Sequence, residues 1–225
     1  TMNNKEELQE NTEVSKSFDA VEYFENNKKN ILLVVGGLFI LIVAYFGYKQ
    51  FIVKPKQEEG MIMIKDVQKY YGLDSFSMVI NSTTFPNALV IADDYSGTKV
   101  GELANYYAGT SYLQLGDFES AIEYLEKVSF DDKIMKYQTM SALGDAYVET
   151  ENLEKGLSLY KEAANGLANQ LAKICYLKAG NIMEKLGMYE EAVSWYTEAK
   201  TALKGLPIEN ELDYFISRNQ AKIGK

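Results

Sequence analysis

Three segments of this chain repeat one pattern of small and apolar residues at an almost constant spacing. They lie at residues 102–128, 137–164 and 173–200, with offsets of 35 and then 36 residues. The matching positions are Ala108-Gly109, Leu143-Gly144 and Ala179-Gly180; Tyr112, Tyr147 and Met183; Phe118, Leu153 and Tyr189; Ala121, Gly156 and Ala192; Leu125, Tyr160 and Tyr196; and Val128, Ala163 and Ala199. A repeat of this length indicates supersecondary units that bury their apolar faces against one another.

Each unit predicts two amphipathic helices joined by a tight turn, because its apolar residues recur at spacings of three and four. In the first unit, Gly116 suits the left-handed position that ends a helix, and Asp117 suits the cap of the next helix. The small residue at Gly109 and its equivalents lets the two helices approach closely. In the second unit Glu151 stands where the turn glycine is expected, so we predict a longer or less regular turn there.

Weaker helical patterns flank the three units. Residues 55–98 predict a degenerate first repeat, with helices at 60–71, 74–80 and 88–95, a loop at 81–87 and Thr98 as a helix cap. The three clear repeats occupy residues 99–206. Residues 207–225 predict a closing helix at 208–223, of the kind that shields the end of a helical array. The predicted fold is therefore an all-α solenoid.

A stretch of 18 residues without a charge, Ile31–Tyr48, precedes the repeats. As a helix it covers about 27 Å, close to the thickness of a membrane's hydrocarbon core. A cleaved signal peptide is disfavoured, because about 30 polar and acidic residues come before the stretch and no small-residue cleavage site follows it. We therefore predict an uncleaved transmembrane helix with its lead-in at residues 17–54, after a disordered tail at residues 1–16.

The orientation of this helix is left open by the charges beside it. Lys16, Lys28 and Lys29 precede the span, and Lys49, Lys54 and Lys56 follow it, so the positive-inside rule does not decide. Within the span, Gly36 and Gly37 are the candidate contact for a partner helix, since small residues let helices approach closely in lipid.

The amino-acid composition excludes several kinds of active site and of binding partner. The chain has no histidine and a single cysteine, which leaves no Ser-His-Asp triad, no Cys-His pair and no histidine-bound metal. Residues 55–225 contain 17 lysines and arginines against 25 aspartates and glutamates, a net charge of −8, and such a surface repels nucleic-acid backbones. We expect no enzyme, no cofactor, no metal and no nucleic-acid partner.

The repeats resemble the tetratricopeptide repeat, through the small residue, the aromatic, the Gly-Asp-aromatic turn and the alanine of residues 102–128. The resemblance implies a ligand groove on the concave surface lined by the first helix of each repeat. Carried onto this sequence, the predicted groove residues are Leu103, Tyr106, Thr110, Leu113, Gln114, Gln138, Ser141, Asp145, Glu149, Leu177, Asn181 and Glu184. The lysine and asparagine clamp of one subgroup is absent. The groove is expected to be partly apolar, tyrosine-lined and acidic, with Tyr106 facing the partner.

A single N-terminal anchor before a short acidic repeat array also resembles the YfgM family of bacterial inner-membrane proteins, most closely over residues 94–125. That resemblance implies a cytoplasmic N-terminus, a periplasmic repeat domain and a non-catalytic, ancillary role at the SecYEG translocon. It also implies association with a PpiD-like periplasmic chaperone and contact with nascent chains. The alternatives are a structural adaptor of another cell-envelope or secretion complex, or an adaptor that faces the cytoplasm.

Overall fold

The computed structural model of the chain describes residues 20–167 and 170–223, with side chains from residue 24 onward, and every regular element in these ranges is a helix. The prediction of a disordered tail at residues 1–16 lies outside the described residues. The chain divides into two compact units between Ile52 and Val53, and each is described by itself.

The N-terminal unit is dominated by helix α1, Ala20–Tyr48, and a π-helical segment, Lys49–Val53, follows it. The apolar stretch predicted from the sequence is helical and contains no buried residue, and it is long and apolar enough to cross a membrane. A Cβ atom added at Gly36 or Gly37 would meet no other atom within 4 Å. Neither glycine is therefore used for packing among the described residues.

The second unit begins with three helices, α2 (Lys54–Tyr71), α3 (Phe76–Asn81) and α4 (Ala88–Asp94). Helix α3 begins two residues later than predicted, because Asp74 adopts a left-handed conformation with φ 53°. The side chain of Asn87 caps α4 by accepting hydrogen bonds from the backbone N–H groups of Leu89 and Val90. Ile64, Val67, Val79 and Ile91 bury their side chains together.

Three helical hairpins follow, as the repeat predicts. They are α5 (Lys99–Leu115) with α6 (Phe118–Leu125), α7 (Lys133–Glu149) with α8 (Leu153–Gly166), and α9 (Gln170–Lys185) with α10 (Tyr189–Ala202). The two helices of each hairpin approach closely at the small residue. A Cβ atom at Gly109 would lie 2.6 Å from Leu125, and one at Gly180 would lie 2.2 Å from the ring of Tyr196.

The three hairpin turns share one geometry, so the prediction of a longer or less regular turn in the second hairpin is wrong. Gly116, Glu151 and Gly187 are all left-handed, with φ values of 82°, 62° and 73°. In each turn the next backbone N–H bonds to the carbonyl five residues before it, as from Asn152 to Tyr147 at 2.8 Å. Glu151 thus takes the backbone position of a glycine, which for a residue with a Cβ atom costs about 1 kcal/mol.

Helix α11, Glu209–Ile223, closes the array as predicted. Leu212 is fully buried, and the ring of Phe215 stacks on Tyr196 of α10 with centroids 5.1 Å apart. Most of the buried apolar residues form two clusters, one built from α2 to α5 and one from α8 to α11. The junction between the first and second hairpins lies between these two clusters.

Candidate functional site

The twelve residues predicted to line a groove all lie on the first helices of the hairpins, α5, α7 and α9, but they differ widely in exposure. Four are exposed to solvent: Gln114, Gln138, Glu149 and Asn181. Six are half-buried: Leu103, Tyr106, Leu113, Asp145, Leu177 and Glu184. Two are buried: Thr110 and Ser141. A partner that meets this surface therefore reaches the four exposed side chains first.

The two buried hydroxyl groups are used inside the solenoid. Thr110 donates to the backbone carbonyl of Tyr106 at 2.7 Å. Ser141 shares a hydrogen bond with the thiol of Cys175 on α9, where burial raises the pKa of that thiol. Neither hydroxyl is on the surface in this structure, so both serve helix packing rather than the groove.

Tyr106 is half-buried against other aromatic rings. Its ring meets Phe130 edge to face, with centroids 5.8 Å apart, and Tyr107 at the same distance. Burial, with smaller contributions from Tyr71 and Tyr107, raises the pKa of Tyr106 to about 12. Most of this side chain already packs within the chain, so only its remaining face is available to a partner.

Asp145 joins the second and third hairpins. Lys178 on α9 donates to Oδ2 of Asp145 at 2.8 Å, and the hydroxyl of Tyr160 donates to Oδ1. Burial and the hydrogen bond to Asp145 raise the pKa of Tyr160. A cleft of about 270 Å³ lies beside this cluster, lined by Asp145, Val148, Tyr160, Lys178, Asn181, Ile182 and Lys185.

Glu184 is held by the closing helix. Arg218 donates to both of its carboxylate oxygens, at 2.6 and 2.7 Å, and Asn219 donates to Oε1 at 2.9 Å. The hydroxyl of Tyr196 adds a third donor at 3.2 Å. Burial acts to raise the pKa of Glu184, but the hydrogen bonds from Arg218 and Asn219 outweigh it and hold the pKa below its usual value.

These pairings change the electrostatic character expected of the groove. Asp145 and Glu184 are both neutralised by cationic partners within the chain. Of the three acids among the predicted groove residues, Glu149 is the one that is exposed. Lys185, on the same helix as Asn181, is also exposed and adds a positive charge to this surface. The first-helix surface is therefore mixed in charge rather than strongly acidic. Among the described residues, no group of three acids or cysteines is placed to hold a metal ion.

A second concave feature, which the sequence did not predict, lies where the first hairpin meets the second. We call it the junction cleft; it has a volume of about 670 Å³. Its apolar lining is Leu125, Val128, Phe130, Met140, Leu143 and Leu159. The helix starts in the sequence do not reveal it, because α7 begins at nearly the same repeat position as α9, which follows the longer helix α8. Asp132 caps α7, by accepting from the N–H of Met135 at 2.9 Å.

Comparison with known protein families identifies the repeated unit. The sequence model of the tetratricopeptide repeat matches residues 104–129 and 172–202, which correspond to the first and third hairpins. The second hairpin, with Glu151 in its turn and Gly156 in place of alanine, lies between the matched segments and has the same backbone geometry. No curated protein matches the chain. The described residues after the apolar helix thus form a helical solenoid built on tetratricopeptide repeats.

Proposed function

We propose that this chain is a non-catalytic scaffold that is anchored in a membrane and binds protein partners through its repeats. One observation carries the proposal: a helix long and apolar enough to cross a membrane is followed, in the same chain, by a tetratricopeptide-repeat solenoid. Tetratricopeptide repeats are protein-binding modules, and the exposed side chains of α5, α7 and α9 offer a partner mixed polar and apolar contacts.

The proposed site of action is the Sec translocon of a bacterial inner membrane. The support is the resemblance of residues 94–125, and of the anchor-plus-repeat arrangement, to the YfgM family. In this proposal the N-terminus is cytoplasmic and the repeats are periplasmic, beside SecYEG and a PpiD-like chaperone. The scaffold would assist translocation by holding nascent chains and passing them onward.

Tethering is the physical advantage of this arrangement. A binding module that is fixed to the same membrane as its partner works at a high effective concentration, so a weak individual contact is sufficient. In the proposal, Gly36 and Gly37 face a translocon helix, because none of the described residues packs against them. Gln114, Glu149 and Asn181 would contact the chaperone or the nascent chain.

Affinity purification of the full chain in mild detergent tests the proposal. We expect SecY, SecE, SecG and a PpiD-like chaperone to copurify with the tagged chain. The matched control replaces residues 31–48 with an unrelated apolar span, which keeps the membrane attachment and removes the specific helix contact. Recovery of a different envelope complex, or of no translocon subunit, would contradict the translocon assignment. Degradation of the repeats by protease added to spheroplasts is expected, and protection would refute the periplasmic orientation.

A further inference from the structure

The junction cleft exists because one helix of the solenoid is short. Helix α6 has 8 residues, whereas α8 and α10 each have 14. By the repeat offset, residues 126–131 correspond to residues 161–166, the end of α8. In the first hairpin the chain instead leaves the helix after Leu125. The backbone N–H of Ser129 donates to the carboxylate of Glu102 at 2.7 Å, which draws this segment toward α5.

The neighbouring junction shows what normally fills this space. Between the second and third hairpins, the end of α8 covers Tyr176 and Trp195, which are only 1% and 5% exposed. Ala163 and Ala164 are buried there, and Asn165 accepts a hydrogen bond from Tyr176 at 2.8 Å. The filling element is thus two helical turns with small residues on their inner face.

The first junction lacks this cover. Met140 and Leu159 occupy the positions equivalent to Tyr176 and Trp195, yet both are half-buried and line the cleft. Leu143 is also half-buried, although its equivalents Ala108 and Ala179 are fully buried.

Polar contacts hold this junction without closing the cleft. The hydroxyl of Tyr147 donates to Glu126, and Lys155 donates to the same hydroxyl at 3.1 Å. A partly apolar surface, interrupted by Glu126, Ser129, Lys136 and Thr139, is therefore left open between the two hairpins.

The charge of one wall limits the kind of partner that fits. Residues 117–132, which form α6 and the connection to α7, contain six acids and one lysine. Two charged residues line the cleft: Glu126 on this wall, and Lys136 of α7, which lies 3.6 Å from Glu162. Asp131 follows Phe130 in the chain and is almost fully exposed, and its exposed contact with Lys99 at 3.4 Å is weak because solvent screens it. A segment with basic residues on its outer face is attracted to this wall, and an acidic segment is repelled.

We propose that the junction cleft binds a short amphipathic helix of a partner protein, with small apolar residues facing Met140 and Leu159 and with lysine or arginine beside the acidic wall. The bound helix would take the place of the two turns that α6 lacks. The proposal rests on the proposed scaffold function and adds to it a specific binding site and the chemistry of the partner segment.

A peptide probe tests the site without knowledge of the natural partner. The probe is a fluorescent peptide with the sequence of α8, residues 153–166, carrying Glu154→Lys and Glu162→Lys. It is titrated against the full-length chain in detergent, and its anisotropy is measured. We expect saturable binding that weakens as salt is added, and weaker binding of the unmodified α8 peptide, which has no net charge. Absence of saturable binding of the lysine peptide would overturn the proposal.

Variants then locate the binding. Met140→Glu introduces a charge into the apolar lining and is expected to weaken binding at least about tenfold. Leu186→Glu, at an exposed position outside the cleft, is the matched control and should bind as the unmodified chain does. Asp131→Lys changes an exposed side chain that the fold does not require, and it should weaken binding roughly two- to fivefold. Glu209→Lys on α11 is its control.

The outcomes separate this inference from the scaffold proposal. In one outcome, Met140→Glu binds the probe as tightly as the unmodified chain and still copurifies with translocon subunits. That result would support the scaffold proposal and refute the proposed binding site in the junction cleft. Loss of probe binding in Met140→Glu, with its helix content and melting temperature retained, supports the cleft whichever partners copurify. If sedimentation shows a dimer that Met140→Glu dissociates, the occupant is a second copy of this chain and the proposal is wrong.

Discussion

The contact between Glu184 and Arg218 makes the sharpest prediction about stability, because it ties the closing helix to the last repeat. The side chain of Glu184 is 9% exposed and that of Arg218 is 33% exposed. Both carboxylate oxygens accept from the guanidinium, with Asn219 and Tyr196 as further donors. Arg218→Met removes the strongest partner and leaves a buried carboxylate with two neutral donors.

Breaking a buried ion pair by removing one partner typically costs 3–5 kcal/mol. The cost here should be smaller, because Arg218 is partly exposed and Lys222 lies 3.8 Å from the carboxylate, where it can replace some of the lost charge. We expect a loss of about 2–3 kcal/mol. For a domain of this size that corresponds to a fall in melting temperature of roughly 5–10 °C.

Circular dichroism of the full chain in detergent measures this change, and a double variant isolates its cause. Replacing both members of a buried pair with apolar residues is often nearly neutral. Glu184→Met combined with Arg218→Met should therefore recover more than half of the lost melting temperature. The reasoning is refuted if Arg218→Met melts within 1 °C of the unmodified chain, or if the double variant is no more stable than the single one.

The same contact predicts a pH dependence with a definite sign. Burial opposes the ionisation of Glu184, but its hydrogen bonds hold its pKa in the folded chain below the usual value. The stabilisation is therefore present above the ordinary glutamate pKa of about 4.3 and is lost as the pH falls through the lower folded pKa. The advantage of the unmodified chain over Glu184→Gln should shrink between about pH 5 and pH 3. An advantage that stays constant over this range would contradict the assignment.

Three further predictions concern the repeats. Glu151→Gly should raise the free energy of unfolding by about 1 kcal/mol in urea titrations, because glycine adopts the left-handed backbone without the strain of a Cβ atom. Gly116→Ala at the equivalent turn should lower it by a similar amount. No gain in Glu151→Gly would contradict the turn geometry. Gly180→Ala should cost roughly 1–3 kcal/mol in the same titration, since the new Cβ atom would lie 2.2 Å from the ring of Tyr196, and an unchanged midpoint would show that the helices can separate freely. Cys175 is fully buried and burial raises the pKa of its thiol, so a thiol reagent should modify only the unfolded chain; rapid labelling under native conditions would show that α9 opens.

Much of the helical architecture could be predicted from the sequence because its signals are local. Gly116 and Asp117 set the first hairpin turn within two residues, and Thr98 and Asp117 cap their helices as expected. The spacing of small and apolar residues then specifies which helix faces pack together. The sequence predicts an irregular turn at Glu151 because it lacks the locally favoured glycine, whereas Glu151 adopts the same left-handed backbone as Gly116 and Gly187.

The properties of the candidate site were harder to predict because they depend on distant pairings. Glu184 meets Arg218 across 34 residues, and Asp145 meets Lys178 across 33. The sequence therefore suggested an acidic groove where the structure has neutralised pairs. The segment that follows α6 is likewise held by a distant residue, because Ser129 donates to Glu102, which lies 27 residues before it. Periodicity within a window of one helix contains no information on such contacts.

Photo-crosslinking in living cells tests the central claim of a scaffold at the translocon most directly. A photoreactive residue at Asn181, which is exposed on α9, should crosslink to a PpiD-like chaperone or to a nascent secreted chain, and one at Gly36 should crosslink to a translocon subunit. A photoreactive residue at Glu198, exposed on the second helix of the same hairpin, serves as the control and should give neither product. Products at Asn181 and Gly36 that contain only other envelope proteins, or the same products from all three positions, would contradict the account.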